Sequence, residues 1–319
     1  MCRFPVIIGP TAGGKTALAV DVALALIRSG TPAEIVTADA FQIYKGMDIG
    51  TAKPDEAERR GVPHHLIDLV EPGTRFTLAD WLDAAESKIE DIRGRGGLPV
   101  VVGGTHLYIK SLVEGMFEGP AGDESVRERL RALPPNELRA MLERIDAPAA
   151  ARLHPNDIRR TIRALEVFEL TGKPITEHQQ QWDRAESVRT DCTLIGLDWC
   201  AEQLNPLINA RLKDMMKRGL LEEVRALHAK GLLNACEPPA INQAREALGY
   251  KQIVRFLESP NLSLEDAVER IKIETRQFGK AQRTWIKRLK FIKGGLWIDP
   301  ATMSPETWCD RVLSHIGVI

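Results

Sequence analysis

Phe4-Pro5-Val6-Ile7-Ile8-Gly9-Pro10-Thr11-Ala12-Gly13-Gly14-Lys15-Thr16-Ala17 is the stretch that decides the fold class. The apolar run Phe4–Ile8 reads as a buried strand, Gly9–Thr16 as a loop, and Ala17–Arg28 as the helix that follows. Gly9 to Thr16 fits G-x-x-x-x-G-K-[ST] in the strand–loop–helix context that gives this pattern its meaning. Glycines let the backbone curl until successive N–H groups point inward at an anion, and the helix N-terminus adds positive potential. The expected phosphate cradle is therefore Gly9, Pro10, Thr11, Ala12, Gly13, Gly14, Lys15 and Thr16. Lys15 supplies a mobile cation, and Thr16 a hydroxyl for Mg2+.

Outward from this loop, strands alternate with helices. Ala33–Thr37 and Leu98–Val102 read as strands, and Asp80–Arg93 as a helix between them. The pattern changes after Glu118. Up to Arg189 only helices and turns are legible: Asp123–Leu133, Asn136–Ile145, Ala147–Leu153 and Ile158–Thr171, separated by Pro134, Pro148, Pro155 and Gly172. Thr193–Leu197 returns to a strand pattern, and the remainder is mostly helical. The expectation is an α/β chain with a P-loop NTPase-like parallel sheet core, a helical insertion domain and a helical C-terminal region. The parts are residues 1–118 (core, first part), 119–189 (insertion) and 190–319 (core, second part, with basic C-terminal helices).

Composition bounds the rest. The 319 residues are 44% hydrophobic with a formal net charge of -1, so any nucleic-acid contact must come from a local basic stripe. Cys2, Cys192, Cys200, Cys236 and Cys309 form no C-x-x-C pair, which suits a reduced compartment and suggests neither a disulfide framework nor a zinc site. No signal peptide and no run of about 20 apolar residues is visible. A cytoplasmic monomer without membrane contact is expected.

A phosphate loop does not say what is done to the phosphate. A small-molecule kinase is the default, but kinases and NTPases place an acid at the end of a core strand to hold Mg2+. Leu98–Val102 ends in Gly103-Gly104-Thr105, whereas the second strand leads to Asp39, the carboxylate nearest the expected phosphate site. Asp39 fits a metal ligand, a base or a helix N-cap.

Asp39-Ala40-Phe41-Gln42-Ile43-Tyr44-Lys45-Gly46-Met47-Asp48-Ile49-Gly50-Thr51-Ala52-Lys53-Pro54 resembles the segment after the second strand in tRNA dimethylallyltransferases (tRNA isopentenyltransferases). So do Pro63-His64-His65-Leu66-Ile67-Asp68, Val102-Gly103-Gly104-Thr105-His106-Leu107-Tyr108, Leu153-His154-Pro155-Asn156-Asp157 with Arg159, Arg160 and Arg163, Ala247-Leu248-Gly249-Tyr250-Lys251, and Thr275 to Trp285, all in family order. The chain departs from the pattern at Ala40 and Gly13, where Ser is usual, and it resembles the bacterial form without a zinc finger.

The resemblance implies transfer of a dimethylallyl group from dimethylallyl diphosphate to the exocyclic N6 amine of adenine 37 in tRNA, with release of pyrophosphate. It implies catalysis by Asp39 as base, Thr11 as a loop hydroxyl at the reaction centre and Arg276 as a second cation on the pyrophosphate. It implies tRNA contacts by Asp39, Ala40, Phe41, Gln42, Thr105, Arg127, Arg159, Arg160, Thr161, Ile162, Arg163, Gly249, Tyr250 and Lys251. Gln42 has the amide that pairs bidentately with adenine. Residues 276 to 293 hold seven basic side chains and no acid. On a helix Arg276, Lys280, Arg283, Lys287 and Lys290 share one face, opposite Phe278, Ala281, Trp285, Leu289 and Ile292. The apolar side is expected to dock on the core and Lys280, Arg283 and Lys287 to meet RNA phosphates. The competing readings are the kinase, an adenylate isopentenyltransferase acting on free nucleotides, and a non-catalytic RNA-binding module.

Overall fold

The computed structural model describes residues 3–116, 119–179, 188–235 and 242–318. The expected domain boundary at Glu118, the aromatic Trp182, Cys2 and Cys236 lie outside the described residues. The chain divides into two compact units. One comprises Met1–Ile109, Thr190–Cys236 and Ile241–Ile319; the other comprises Lys110–Arg189 and Glu237–Ala240.

The first unit is built on β1 (Phe4–Ile8), α1 (Lys15–Arg28), β2 (Ala33–Ala38), α2 (Glu56–Arg59), β3 (His64–His65), α3 (Leu78–Gly94) and β4 (Leu98–Gly103). α4 (His106–Glu114) follows, and α5 (Glu124–Arg131), α6 (Pro135–Ile145), α7 (Ala147–Arg152), α8 (Ile158–Thr171) and α9 (Ile175–Gln179) form the helical unit. The chain then completes the first unit with β5 (Cys192–Leu197), α10 (Ala201–Lys217), α11 (Leu220–Ala229), α12 (Tyr250–Glu258), α13 (Leu264–Leu289), β6 (Leu296–Ile298) and α14 (Pro305–His315).

Six parallel strands form one sheet in the order β3-β2-β4-β1-β5-β6. Every residue of β1, β4 and β5 is buried, so both faces of the sheet are covered. That is why these strands appear in the sequence as unbroken apolar runs rather than alternating ones. The edge strands β3 and β6 are two and three residues long, too short to stand out as runs. β3 stops at His65, where Leu66 and Asp68 adopt φ of 62° and 56° and turn the chain away.

A second core in this unit lies beneath the loop that follows β2. Ile43, Tyr44 and Met47 pack with Leu220, Val224, Tyr250 and Ile253 of α11 and α12. Glu223 of α11 accepts the N–H groups of Asp48 (3.0 Å), Ile49 (2.8 Å) and Gly50 (3.2 Å). Lys53 is buried against Asp48, Asp68 and the Tyr44 carbonyl. The residues from 39 to 54 are thus held as a rigid shelf, although they contain no strand or helix.

The helical unit has its own core, with Leu130, Leu138, Leu142, Ala149, Ile162, Leu165 and Ile175 at its centre. Asp123, Asp146 and Asp157 cap α5, α7 and α8 through side-chain oxygens, and Gly172 in the left-handed conformation ends α8. Pro148, expected to separate helices, lies instead in the first turn of α7, where its missing N–H costs nothing.

Candidate active site

α1 begins at Lys15, so the last two residues of the phosphate loop form the first turn of the helix. Gly14 is its cap, at φ 82°. The loop borders a cavity of about 600 Å³ lined only by residues of the sheet-containing unit. Thr11, Ala12, Lys15 and Thr16 supply one wall, and Asp39 and Thr105 extend it from the ends of β2 and β4. Strand order explains the meeting: β2 and β4 are neighbours, with Ala38 opposite Gly103.

Asp39 caps a turn rather than a helix, and it lines the cavity. Its Oδ1 accepts the N–H groups of Phe41 (2.9 Å) and Gln42 (3.3 Å), which fixes the turn. Its Oδ2 has no hydrogen-bond partner among the described residues, so the carboxylate keeps a free acceptor in a residue that lines the cavity. Thr105 Oγ1 accepts the Ala40 N–H at 3.1 Å, tying the two strand ends together.

Lys15 Nζ donates to the Pro10 carbonyl at 2.7 Å. Burial, aided by the nearby Arg211 guanidinium and opposed by Asp39, lowers its pKa to about 7. Arg211 also lines the cavity, on α10, between Ile208, Leu212 and Met215. The phosphate end therefore carries two cations from distant parts of the chain. Gln282 of α13, only 2% exposed, joins the walls. Its Oε1 accepts the Thr11 N–H at 2.7 Å and its Nε2 donates to the Gly104 carbonyl at 3.0 Å. The rest of the lining mixes the apolar Phe41, Val102, Ile208, Leu212, Met215 and Phe278 with polar residues that include His64, Glu246 and Glu274.

A family described as IPP transferase matches residues 42–289. A relative named tRNA dimethylallyltransferase, from Caldanaerobacter subterraneus subsp. tengcongensis, is 44% identical over 293 residues, 90% of this chain and 89% of its own. The chain belongs to the IPP transferase family. The tRNA dimethylallyltransferase of Anoxybacillus flavithermus is 38% identical over 98% of this chain and 94% of its own. Among solved structures, the tRNA isopentenylpyrophosphate transferase of Bacillus halodurans covers 99% of this chain and 97% of its own at 33% identity, with a TM-score of 0.69. A eukaryotic dimethylallyltransferase acting on tRNA aligns with a TM-score of 0.80 at 28% identity, covering 98% of this chain and 78% of its own.

For a member of this transferase family, the expected residues divide clearly by position. Thr11, Lys15, Thr16, Asp39, Phe41, Gln42, Thr105 and Gly249 all line the cavity. Arg276 does not line it: its guanidinium donates to Asn209 Oδ1 (2.8 Å from Nη2), and Arg211 is the arginine that does. Gln42 donates from Nε2 to the carbonyls of Thr51 (3.1 Å) and Ala52 (3.2 Å), so only Oε1 is free and a bidentate pairing with adenine is not available. Tyr250 is 0% exposed and donates to Glu223, and Lys251 pairs with Glu274 at 3.2 Å.

In the helical unit, Ile162 is 6% exposed in the core and Thr161 donates to the Asp157 carbonyl, so neither side chain is available to a partner. Arg127 and Arg163 are turned onto the buried Glu166, at 2.8 Å and 2.6 Å. Arg159 and Arg160 remain exposed.

α13 is rotated from expectation. Its buried side is Ala267, Ile271, Gly279, Gln282, Ile286 and Leu289, roughly 60° around the helix from the predicted one at 100° per residue. Phe278 and Ala281 therefore face the cavity rather than the core. The helix ends at Leu289, with Lys290 as its cap paired to Asp198 and Ile292 beyond it. Lys280 and Lys287 stay exposed, whereas Arg283 is half-buried. Arg211 and Gln282 were missed in the sequence. Their signal is a polar residue on an otherwise apolar helical stripe, between Ile208 and Leu212 and between Gly279 and Ile286.

Proposed function

We propose that this chain transfers a dimethylallyl group from dimethylallyl diphosphate to N6 of adenine 37 in tRNA and releases pyrophosphate. The observation that carries the reading is one cavity that brings together a phosphate loop, two cations, a carboxylate with a free oxygen, and apolar side chains from Phe41 to Phe278. Family membership supports group transfer, and the names of the relatives support a prenyl group and tRNA.

The chemistry follows from these groups. The allylic C–O bond breaks as the C–N bond forms, and negative charge grows on the departing diphosphate. Lys15, Arg211 and the loop N–H groups stabilise that charge where it develops. Lys15 must leave the Pro10 carbonyl to do so, which a bound diphosphate induces by charge. The adenine amine is a weak nucleophile because its lone pair is delocalised, and Asp39 takes its proton as attack proceeds. Apolar side chains around the prenyl group keep water from the allylic carbon.

Thr16 offers a hard oxygen donor on the cavity wall, and no cluster of three or more His, Cys, Asp or Glu exists among the described residues. That donor fits Mg2+, which takes few protein ligands and completes its shell with phosphate oxygens and water. When bound, Mg2+ would supply further charge for the leaving group. For the acceptor, Arg159, Arg160, Lys280 and Lys287 are the exposed cations that suit a phosphate backbone.

The test is incubation with dimethylallyl diphosphate labelled in the prenyl group, with total tRNA and with AMP as separate acceptors. Label is expected in tRNA alone, without ATP. Label in AMP, or ATP consumption with no prenyl transfer, would overturn the reading.

A further inference from the structure

We propose that Trp199 is a positioning residue for the phosphate loop, and that its indole contributes to the exclusion of a side chain at residue 13. The proposal rests on the reading of that loop as a diphosphate site. It begins with strand register. β1 and β5 are neighbours, with Ile8 opposite Gly196, so the chain leaving β5 runs beside the chain entering the loop. Asp198 is held by a hydrogen bond from its N–H to the Ile298 carbonyl of β6 (2.8 Å), and Trp199 follows it.

The indole Nε1–H donates to the Gly13 carbonyl at 3.0 Å. That carbonyl accepts no other hydrogen bond among the described residues. A trans peptide points its C=O and its N–H in opposite directions. Holding the Gly13 carbonyl on the indole therefore turns the Gly14 N–H away from it, and this N–H has no partner of its own among the described residues. A loop that binds an anion through N–H groups needs its peptide planes fixed in this sense before the anion arrives.

The indole is itself braced. Trp308 of α14 lies edge-on to it, with ring centroids 6.3 Å apart at 83°. Trp308 is anchored by its own N–H on the Met303 carbonyl (3.2 Å) and stands 3.3 Å from where a Cβ on Gly14 would be. The same packing excludes a side chain at residue 13. A Cβ there would lie 2.8 Å from Trp199 Nε1 and 3.0 Å from its Cδ1. It would also lie 2.9 Å from the Pro10 carbonyl, which belongs to the loop and not to the indole.

Calorimetric titration with inorganic diphosphate, alongside thermal melting, tests the pair. Trp199→Phe keeps a ring and removes the donor. Its diphosphate affinity should fall about 3- to 10-fold, the loss expected for one hydrogen bond, at an unchanged melting temperature. In turnover, KM for the prenyl diphosphate should rise while KM for tRNA stays put. Gly13→Ala should weaken diphosphate binding further, and Trp199→Ala combined with it should restore part of the loss by opening the space.

Wild-type affinity in Trp199→Phe would overturn the proposal. So would a Gly13→Ala defect of equal size with and without the indole, which would put the clash on the Pro10 carbonyl. Failure of the wild-type protein to bind diphosphate would instead remove the reading of the loop, and the proposal with it.

Discussion

Asp39 divides its work between its two oxygens, and the division predicts how substitutions separate. Oδ1 holds the Phe41 and Gln42 amides, while Oδ2 is free. Asp39→Asn retains an Oδ1 acceptor for the turn but cannot take a proton. It should lose about 10²- to 10⁴-fold in kcat, with melting temperature and diphosphate affinity preserved. Asp39→Ala should show the same kinetic loss and in addition a destabilisation of about 1 kcal/mol, the usual cost of a lost cap. Rates at saturating substrates and melting curves decide between the two. Lys15 carries a second prediction. With its pKa lowered to about 7, the free protein holds the charged form below that pH and loses it above. Diphosphate binds the ammonium, so binding at higher pH must take up a proton. Affinity should therefore fall as pH rises above 7, by up to about tenfold per unit, until the pKa of the bound lysine is passed. Titrations between pH 7 and 9 measure this, and Lys15→Arg, charged throughout, should flatten the curve.

At the scale of elements, α13 shows both what can be read from the chain and what cannot. Its basic face was legible because the charges recur at helical spacing, but the orientation of the helix was not. Gly279 and Gln282 turn inward because Gly279 lets α13 close on Leu204 and Ile208 of α10, at 3.3–3.4 Å from a Cβ there, and Gln282 ties the loop to Gly104. Neither contact leaves a local periodicity. The same reasoning covers β1, β2, β4 and β5, visible as apolar runs, and β3 and β6, too short to have a pattern apart from their neighbours. It covers the site as well: the loop and Asp39 are local motifs, whereas Arg211 gains its role from a helix 200 residues distant. Tyr250 and Ile162 are buried, which a motif does not disclose. For RNA, the rotated helix narrows the prediction to its exposed cations. Lys280→Gln with Lys287→Gln should weaken tRNA binding and reduce its salt slope by up to about 0.7–0.9 per lost phosphate contact, at unchanged diphosphate affinity and melting temperature. Unchanged slope would make this face merely solvated.

Over the whole molecule, a net charge of -1 hides the basic stretch from 276 to 293, and the proposed function divides its chemistry between the two units. Every residue that lines the cavity belongs to the sheet-containing unit. The helical unit is held by its own apolar core and by Glu166, which is 0% exposed and receives Arg127, Arg163 and the Asp123 N–H (2.7 Å). Removing that carboxylate takes the shared partner from two partly buried guanidinium groups, leaving Arg127 near Glu124 (3.7 Å) and Arg163 on the Pro120 carbonyl (2.9 Å). Breaking a buried ion pair from one side costs more than the pair itself contributes. Because both arginines retain some access to water, the effect should sit near the lower end of the usual range, about 3 kcal/mol. Glu166→Ala should therefore loosen the helical unit alone. Amide hydrogen exchange should accelerate across α5 and α8 and stay slow in β1 and β4. Diphosphate affinity should be unchanged, since no cavity residue depends on Glu166. Prenyl transfer to tRNA should fall through a higher KM for tRNA, because Arg159 and Arg160 are carried on the destabilised α8. A loss of diphosphate affinity equal to the loss of tRNA affinity would show that the cavity depends on the helical unit after all.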